Sequence, residues 1–354
     1  MSNLRNFITV VISCLIINAS YAAEMPNLSS IDFMKQTYRG FNLDNASKKS
    51  AANFDALAAM NVNLIRLFLN LERCGDCTTY TIPPDKLAQI DQAVLLAEEK
   101  HIYIILTIIP EPPKDAKYWS DTELQTSIID IWTQLAKRYK GRPSMGGFDL
   151  INEPSPPGRL EAASSSYVEF AGKIIKAIRT IDPQRMIVFE PAPRGNANYG
   201  FKALSGPLPY NNVLYSLHFY QPLELTHQGI YGIPLGMTYP NDSWNKEQLS
   251  KQLDQARKFK AKYNVPIYAG EFSCARYAPN NSAYLWNKDV TALFEAEGWS
   301  WTFHSFRGFH AWDQELPSWV GKPANEESAT KARSLDTPVM TLLQSHFAKN
   351  KAIN

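Results

Sequence analysis

Short apolar runs recur along this chain and alternate with longer segments in which apolar residues return every three or four positions. Short runs bounded by turn residues are typical of buried strands, and the longer period is typical of helices that cover a sheet. Eight strands are predicted, at 40–43, 63–68, 103–108, 147–151, 186–189, 213–218, 266–269 and 299–302. Helices are predicted at 47–60, 84–100, 122–139, 160–181, 245–263, 284–297 and 328–347.

This alternation predicts the α/β class and a (β/α)8 TIM barrel, with an all-parallel inner sheet and right-handed connections. The fifth connection has the weakest pattern, because residues 191–212 are rich in Pro, Gly and Asn and show little helical period. A short helix near 201–204 is expected there. In such a barrel the carboxyl ends of the strands form the catalytic face, so side chains at those ends are candidates for function.

The first 23 residues resemble an export signal. Arg5 precedes an apolar stretch over 7–17, and small residues at 19–23 would suit cleavage after Ala22 or Ala23. The alternative is a lipoprotein cleavage box at 11–14 that leaves a lipidated Cys14, less favoured because apolar residues continue beyond it. We expect a secreted or periplasmic protein whose residues 24–354 form one catalytic domain, without stable membrane insertion.

Composition narrows the function further. The 354 residues are 45% hydrophobic and 20% charged, with a formal net charge of +2, which gives no indication of nucleic-acid binding. Cys74 and Cys77 are expected to close a small disulfide loop in an oxidising compartment, and a zinc site is less favoured because no second pair stands at matching spacing. No metal and no organic cofactor is predicted, and a monomer is expected.

Two glutamates carry the candidate chemistry. Glu153 and Glu271 each close an apolar run that is typical of a buried strand, within 147–154 and 265–272. A carboxylate in that position is poorly solvated unless it faces a cleft. Two carboxylates that converge on one cleft indicate cleavage of a glycosidic bond.

Further polar and aromatic side chains are predicted at the same barrel rim. Each has a plain structural alternative: Arg66 could be an ion-pair partner, His218 a satisfied core histidine, and Trp301 ordinary packing. Their shared placement at strand ends favours a common site. The candidates beside the two glutamates are Arg66, Asn152, His218, Tyr220 and Trp301.

At these residues the chain resembles glycoside hydrolase family 5, the cellulase-type retaining enzymes. The matching segments are Asn63-Leu-Ile-Arg66, Leu150-Ile-Asn-Glu-Pro154, Leu217-His-Phe-Tyr220, Gly270-Glu-Phe272 and Trp299-Ser-Trp301, in family order. The resemblance implies Glu153 as general acid/base and Glu271 as nucleophile of a double displacement, with carboxyl groups about 5–5.5 Å apart.

The same resemblance implies roles for the supporting residues. Arg66 and Tyr220 would contact Glu271, and His218 would hydrogen-bond within the cluster. Asn152 would donate to the 2-hydroxyl of the sugar, and Trp301 would form the floor of the subsite for the reacting sugar. One departure stands at 106–111, where Leu-Thr-Ile-Ile-Pro-Glu replaces the histidine that usually ends the third strand of the family.

The leading hypothesis is an exported retaining β-glycosidase that cleaves a β-linked glucan in the manner of an endo-β-1,4-glucanase. An exo-β-1,3-glucanase and a β-mannanase are the enzymatic alternatives, and a non-catalytic carbohydrate-binding barrel is the alternative of another class. The expected partner is an oligo- or polysaccharide. Long loops after the sixth and eighth strands carry aromatic residues that would line sugar subsites or pack the loops.

Overall fold

A computed structural model describes residues 25–43, 50–73, 79–110 and 117–353. The predicted export signal, Cys14, Cys74, Cys77 and Glu111 lie outside the described residues. Among the residues described, no helix combines the length and the apolar character that crossing a membrane requires.

The described residues form a closed barrel of eight parallel strands. Each barrel strand pairs with its neighbours, and β1 closes the ring by pairing with both β2 and β9. The two-residue β3 lies outside the ring and pairs antiparallel with the end of β2. The strands are β1 (Arg39–Leu43), β2 (Leu64–Arg73), β3 (Tyr80–Thr81), β4 (Tyr103–Pro110), β5 (Met145–Asp149), β6 (Met186–Phe189), β7 (Val213–Phe219), β8 (Ile267–Phe272) and β9 (Ser300–Phe303).

Helices surround this ring and follow most of its strands. They are α1 (Asp32–Lys35), α2 (Ala51–Ala59), α3 (Pro84–Glu99), α4 (Thr122–Tyr139), α5 (Leu160–Ile181), α6 (Tyr199–Ala203), α7 (Leu223–Thr226), α8 (Lys246–Gln252), α9 (Asp254–Tyr263), α10 (Ser282–Ala296), α11 (Glu326–Ala332) and α12 (Pro338–Phe347). The predicted barrel is therefore confirmed, and α4 and α5 have the predicted bounds.

Two predicted helices are each divided into two. The helix expected over 245–263 is interrupted at Leu253, which separates α8 from α9. The helix expected over 328–347 was wrong as one element, because α12 begins at Pro338. Proline has no N–H to donate within a helix, so it is tolerated in the first turn and not in the interior. The side chain of Thr337 caps α12 by accepting from the N–H of Met340.

The strands separate two apolar layers. Outward-facing residues pack against the helices in one large cluster, whereas inward-facing residues at the amino ends of the strands form a second cluster, the barrel floor. The N-terminal segment completes this floor. The members of the floor cluster are Met25, Leu28, Phe33, Tyr38, Leu64, Tyr103, Ile105, Met186, Val188, Leu214, Tyr268 and Ile353. Toward the carboxyl ends the inward positions become polar, and the candidate site lies there.

Candidate active site

A fully buried arginine organises the carboxyl end of the barrel. The side chain of Arg66 on β2 donates from Nε to Asp149 (2.8 Å), from Nη2 to Glu190 (2.6 Å) and from Nη1 to Glu271 (3.1 Å). A buried guanidinium is stable only when its donors are satisfied and its charge is balanced. Arg66 is thus the cation that allows these carboxylates to be buried together.

Glu271 on β8 is held by contacts to both of its oxygens. Oε2 accepts from Arg66, and Oε1 accepts from the hydroxyl of Tyr220 at 2.7 Å. His304 follows β9, and its Nδ1 lies 3.9 Å from Oε1. Burial alone would raise the pKa of Glu271, but electrostatic interactions with His304, His218 and Arg66 and the Tyr220 hydrogen bond lower it to about 2. The carboxylate is therefore ionised at neutral pH.

Glu153 lies in the loop that follows β5, and its backbone is in the left-handed region, with φ of 48°. Its N–H donates to Oε2 of Glu190 at 2.9 Å, and its Oε1 lies 3.0 Å from Nδ1 of His218. The preceding Asn152 accepts from Arg66 through Oδ1 at 2.9 Å, which leaves its amide NH2 for another partner. With about one third of its side chain exposed, Glu153 is more open to the cleft than Glu271.

The protonation states around Arg66 balance one another. Burial opposes the charged form of His218, but Glu190 and Glu271 raise its pKa well above the ordinary value. Burial also opposes ionisation of Glu190, but His218 and Arg66 lower its pKa. Asp149 differs, since burial and the charge of Glu190 raise its pKa well above the ordinary value. Arg66 and His218, whose pKa is raised, thus face Glu190 and Glu271, whose pKa values are lowered, whereas the surroundings of Asp149 favour its neutral form.

The predicted pair of glutamates converges. Glu153, His218 and Glu271 each present one oxygen or nitrogen atom, and these three atoms all lie within 4.8 Å of one another. Such a spacing could also surround a metal ion. However, Arg66 and Tyr220 already bind Glu271, and the raised pKa of His218 favours its protonated form, which has no nitrogen lone pair for a metal. The contacts therefore favour proton transfer chemistry at this group.

The interpretation of Trp301 as the floor of the sugar subsite is wrong. Trp301 is fully buried in the layer between barrel and helices, where it packs on Phe272 and Phe347. Its Nε1 donates to Glu295 on α10 at 2.9 Å. Side chains alternate between the two faces of a strand, so an outward Trp301 leaves the next inward positions to Thr302 and His304.

Two residues of the site, Glu190 and His304, are not identified by the sequence analysis. Glu190 comes directly after the apolar strand β6 and is fully buried, so the strand-end rule that singles out Glu153 applies equally to it. His304 comes directly after β9, two positions beyond the inward-facing Thr302. Correct assignment of the inward face of β9 would have indicated His304 instead of Trp301.

Further rings pack against Tyr220 and His304, two ring side chains that lie next to Glu271. Trp312 packs edge-on against His304, with ring centroids 5.2 Å apart, and against His227 at 4.9 Å. His227 in turn lies 5.0 Å from the ring of Tyr220, and burial lowers the pKa of His227 to about 4. Two aromatic residues of the loops after the sixth and eighth barrel strands, Tyr239 and Phe306, are buried by packing, as is Trp119 after the third barrel strand.

The third barrel strand keeps its predicted departure from the family. β4 runs to Pro110, and Ile108 packs outward in the helix-side cluster. The alternation that begins with the floor residues Tyr103 and Ile105 gives Thr107 and Ile109 the inward positions. The inward end of β4 is therefore a small hydroxyl and an aliphatic side chain, with no imidazole.

Comparison with known proteins agrees with this geometry. The cellulase family, described as glycosyl hydrolase family 5, matches residues 30–309. Endoglucanase C of Acetivibrio thermocellus is 26% identical over 250 residues, which cover 60% of this chain and 70% of that protein. A β-xylosidase of Phanerodontia chrysosporium is 21% identical over 374 residues, which cover 98% of this chain and 70% of that protein.

Solved structures share the fold. An endoglucanase from the hyperthermophilic Thermotoga maritima superposes with a TM-score of 0.73 at 21% identity, over 89% of this chain and 100% of that chain. The family match spans most of the described barrel, so this chain shares a family with these proteins and not only a fold. This chain belongs to the cellulase family, glycosyl hydrolase family 5, and is an O-glycosyl hydrolase.

Proposed function

We propose that this protein is a retaining β-glycosidase that cleaves a β-linked glucan by double displacement. One observation carries the proposal: an oxygen of Glu153 and an oxygen of Glu271 lie within 4.8 Å of each other across the cleft. Retaining glycosidases place their two carboxyl groups about 5–5.5 Å apart, whereas inverting enzymes need about 6.5–9.5 Å to admit a water molecule. The short separation favours direct attack by a carboxylate.

Glu271 is the nucleophile in this proposal. Its low pKa keeps an electron pair available, and Arg66 and Tyr220 orient the carboxylate from two sides. One carboxylate oxygen forms a bond to the anomeric carbon while the glycosidic C–O bond breaks. The new bond neutralises the negative charge of Glu271, which weakens its attraction to Arg66 and His218. The carboxylate must therefore be positioned by its hydrogen bonds and packing as well as by charge.

Glu153 is the general acid and then the general base. It gives a proton to the departing glycosidic oxygen, and in the second step its carboxylate takes a proton from the water that attacks the glycosyl-enzyme. Its greater exposure suits this role, since both the leaving sugar and the water approach from the cleft. The NH2 of Asn152, whose oxygen is fixed by Arg66, is the donor we assign to the sugar 2-hydroxyl.

His304 and Trp312 take the place that the resemblance gave to Trp301. His304 lies beside Glu271 and Trp312 packs against His304, and sugar rings bind through their apolar C–H faces to such surfaces. We assign these two side chains to the wall of the subsite that holds the reacting sugar. Phe68, whose ring lies 6.0 Å from that of His304, extends this wall.

A β-1,4-glucan is the proposed substrate class because matched relatives are named endoglucanases and one matched structure is named an endo-β-1,4-glucanase. Two observations are the reason to test other substrates as well. One matched structure is described as an endoglucanase in complex with mannotriose, and the β-xylosidase matches nearly the full length of this chain. A β-mannan and a β-xyloside are therefore tested beside the glucan, together with the exo-β-1,3-glucanase alternative.

The deciding experiment incubates the purified protein with β-1,4-glucan, β-1,3-glucan, mixed-linkage glucan, mannan and xylan, and measures new reducing ends and product sizes. The anomer of the first product, read by NMR, distinguishes retention from inversion. Glu153→Gln and Glu271→Gln are each expected to lose at least about 100-fold in turnover. Inversion, or a wild-type rate in either variant, would refute the assignment.

Export is proposed separately. Residues 1–23 are proposed to direct secretion or periplasmic transport, and the mature protein is proposed to be a monomer. Mass spectrometry of the exported protein would place the new N-terminus at residue 23 or 24, whereas lipidation of Cys14 would add the mass of acyl chains. Light scattering of the purified protein checks the monomer.

A further inference from the structure

Glu190 is neither the proposed acid/base nor the proposed nucleophile, but it contacts Glu153 directly and Glu271 through their shared partner Arg66. It follows β6 and is fully buried, and its two oxygens have different partners. Oε1 accepts from Nη2 of Arg66 at 2.6 Å and lies 3.4 Å from Nε2 of His218. Oε2 accepts from the backbone N–H of Glu153 at 2.9 Å.

The contact with Glu153 holds a backbone that is otherwise unfavourable. Glu153 has a φ of 48°, in the left-handed region that residues with a Cβ seldom adopt because it is strained. Such a conformation persists only when neighbouring groups determine it. The hydrogen bond from the N–H of Glu153 to Glu190 fixes the peptide plane that precedes this residue, and so helps to aim its side chain.

Glu190 also reaches the side chain of Glu153 through His218. The imidazole lies between the two carboxylates, with Nδ1 3.0 Å from Oε1 of Glu153 and Nε2 toward Glu190. The charged groups that face this imidazole are Glu190 from β6, Glu153 from the loop after β5, Glu271 from β8 and, beyond Glu190, Arg66 from β2. Glu190 thus anchors both the backbone and one oxygen of Glu153.

We propose that Glu190 is a positioning residue that fixes the acid/base Glu153 for proton delivery, acting through the Glu153 backbone N–H and through His218. This inference rests on the proposed function, since it requires Glu153 to be the proton donor. The carboxylate is needed because both of its oxygens accept. A glutamine has one accepting oxygen, so its NH2 group would oppose a donor of either Arg66 or Glu153.

The test compares substrates whose leaving groups need different amounts of proton donation. Glu190→Gln is expected to lower kcat/KM at least about tenfold on an unactivated oligosaccharide, within the usual contribution of general acids. On the 2,4-dinitrophenyl β-glycoside of the same sugar, which departs without protonation, kcat/KM should fall less than about twofold. An equal loss on both substrates would overturn the proposal, because it would indicate general damage or an effect through Arg66 on Glu271.

A matched control and a second variant complete the design. Glu295→Gln removes a glutamate that pairs with Arg39 at 2.6 Å, away from the site, and should leave the ratio between the two substrates unchanged. If Glu190→Gln does not fold, as judged by circular dichroism, His218→Gln interrupts the side-chain link and should show the same dependence on the leaving group. Equal losses with His218→Gln would also overturn the proposal.

Failure of the proposed function would give different kinetic results. In that case the wild-type protein would cleave neither substrate, or Glu153→Gln would keep its activity on the unactivated oligosaccharide. An active wild type, an impaired Glu153→Gln variant and a Glu190→Gln variant with unchanged kcat/KM on both substrates would refute only the role of Glu190.

Discussion

The two ends of the barrel interior are built from the same strands but have opposite chemistry. At the amino end, Leu64 and Val188 point inward and pack in the apolar floor. Two positions further along those strands, the inward side chains are Arg66 and the buried Glu190. A step of two residues along each strand therefore separates hydrophobic packing from a buried network of charges.

This difference shows how the fold divides stability from catalysis. Each apolar floor residue contributes favourable burial of about 25 cal/mol per Å² removed from water. The charged end gains little net stability, because the desolvation of buried ions offsets their attraction. What the charges provide is a cleft in which Glu271 stays ionised and Glu153 is held nearby. Substitutions at the charged end and in the floor are therefore expected to have different effects on stability and on turnover.

The largest effect is expected when the charged end loses its central cation. Arg66→Met leaves carboxyl groups of Asp149, Glu190 and Glu271 without their shared donor. We expect the free energy of unfolding to fall by about 3–5 kcal/mol and turnover to fall at least about 1000-fold. Denaturant unfolding and steady-state kinetics measure both.

The control for that variant breaks an ion pair on the surface. Arg138→Met removes the pair with Asp91, in which both side chains are substantially exposed. Its cost should be below about 1 kcal/mol, with unchanged kinetics. Similar costs for the two arginine variants would contradict the comparison between the buried cluster and the rest of the molecule.

The floor is expected to affect stability without affecting catalysis. Leu214 on β7 is fully buried in the floor cluster, so Leu214→Ala leaves a cavity and should lower the free energy of unfolding by about 2–5 kcal/mol. Because Leu214 lies in the floor cluster at the amino ends of the strands, kcat should change less than about twofold at temperatures where the variant is folded. A large loss of kcat in a fully folded Leu214→Ala protein would show that the two ends are coupled.

Acid should weaken the charged end selectively. The pKa of Glu271 is lowered from 4.5 to about 2, so its ionised form stabilises the fold fully above pH 4.5 and that contribution is lost as the pH falls toward 2. The free energy of unfolding of the wild type, measured relative to Glu271→Gln, should decrease by about 3 kcal/mol over this interval. Urea titrations at several pH values provide the data.

Leu214→Ala is also the control for this experiment, because it removes no titratable group. Its difference from the wild type should remain constant between pH 6 and pH 2 to within roughly 0.5 kcal/mol. A Glu271→Gln difference that is equally constant would mean that the surroundings of Glu271 do not lower its pKa in the folded protein.

The smallest effect distinguishes the two faces of β9. His304→Ala removes the imidazole beside Glu271 and should lower kcat/KM about tenfold, equivalent to about 1.4 kcal/mol. Trp301→Phe removes the hydrogen bond to Glu295 on the outer face and should cost about 1 kcal/mol of stability with unchanged kcat/KM. Kinetics and thermal unfolding of both variants check the pair. The reverse pattern would restore Trp301 as the sugar-binding residue.

Much of the site was predictable because barrels bring strand ends together. Arg66, Glu153, His218, Tyr220 and Glu271 all meet as the strand-end argument predicts. The wrong role for Trp301 and the omission of His304 share one cause, which is the direction in which the side chains of β9 point, whereas Glu190 meets the strand-end rule as well as Glu153 does. An apolar strand buried on both sides shows no alternation of polar and apolar residues, so the inward face of β9 could not be identified from its own residues.

The sequence by itself determined the eight strands, the bounds of α4 and α5, and the two glutamates that end buried strands, because hydrophobic period and strand-end position are local properties. Only the tertiary structure decided that Glu190 links Glu153 and His218, which lie 37 residues before and 28 residues after it. That link depends on the closure of the barrel and on the register that places the carboxyl ends of β5, β6 and β7 side by side. Register and closure result from packing of the whole ring, which no single segment specifies.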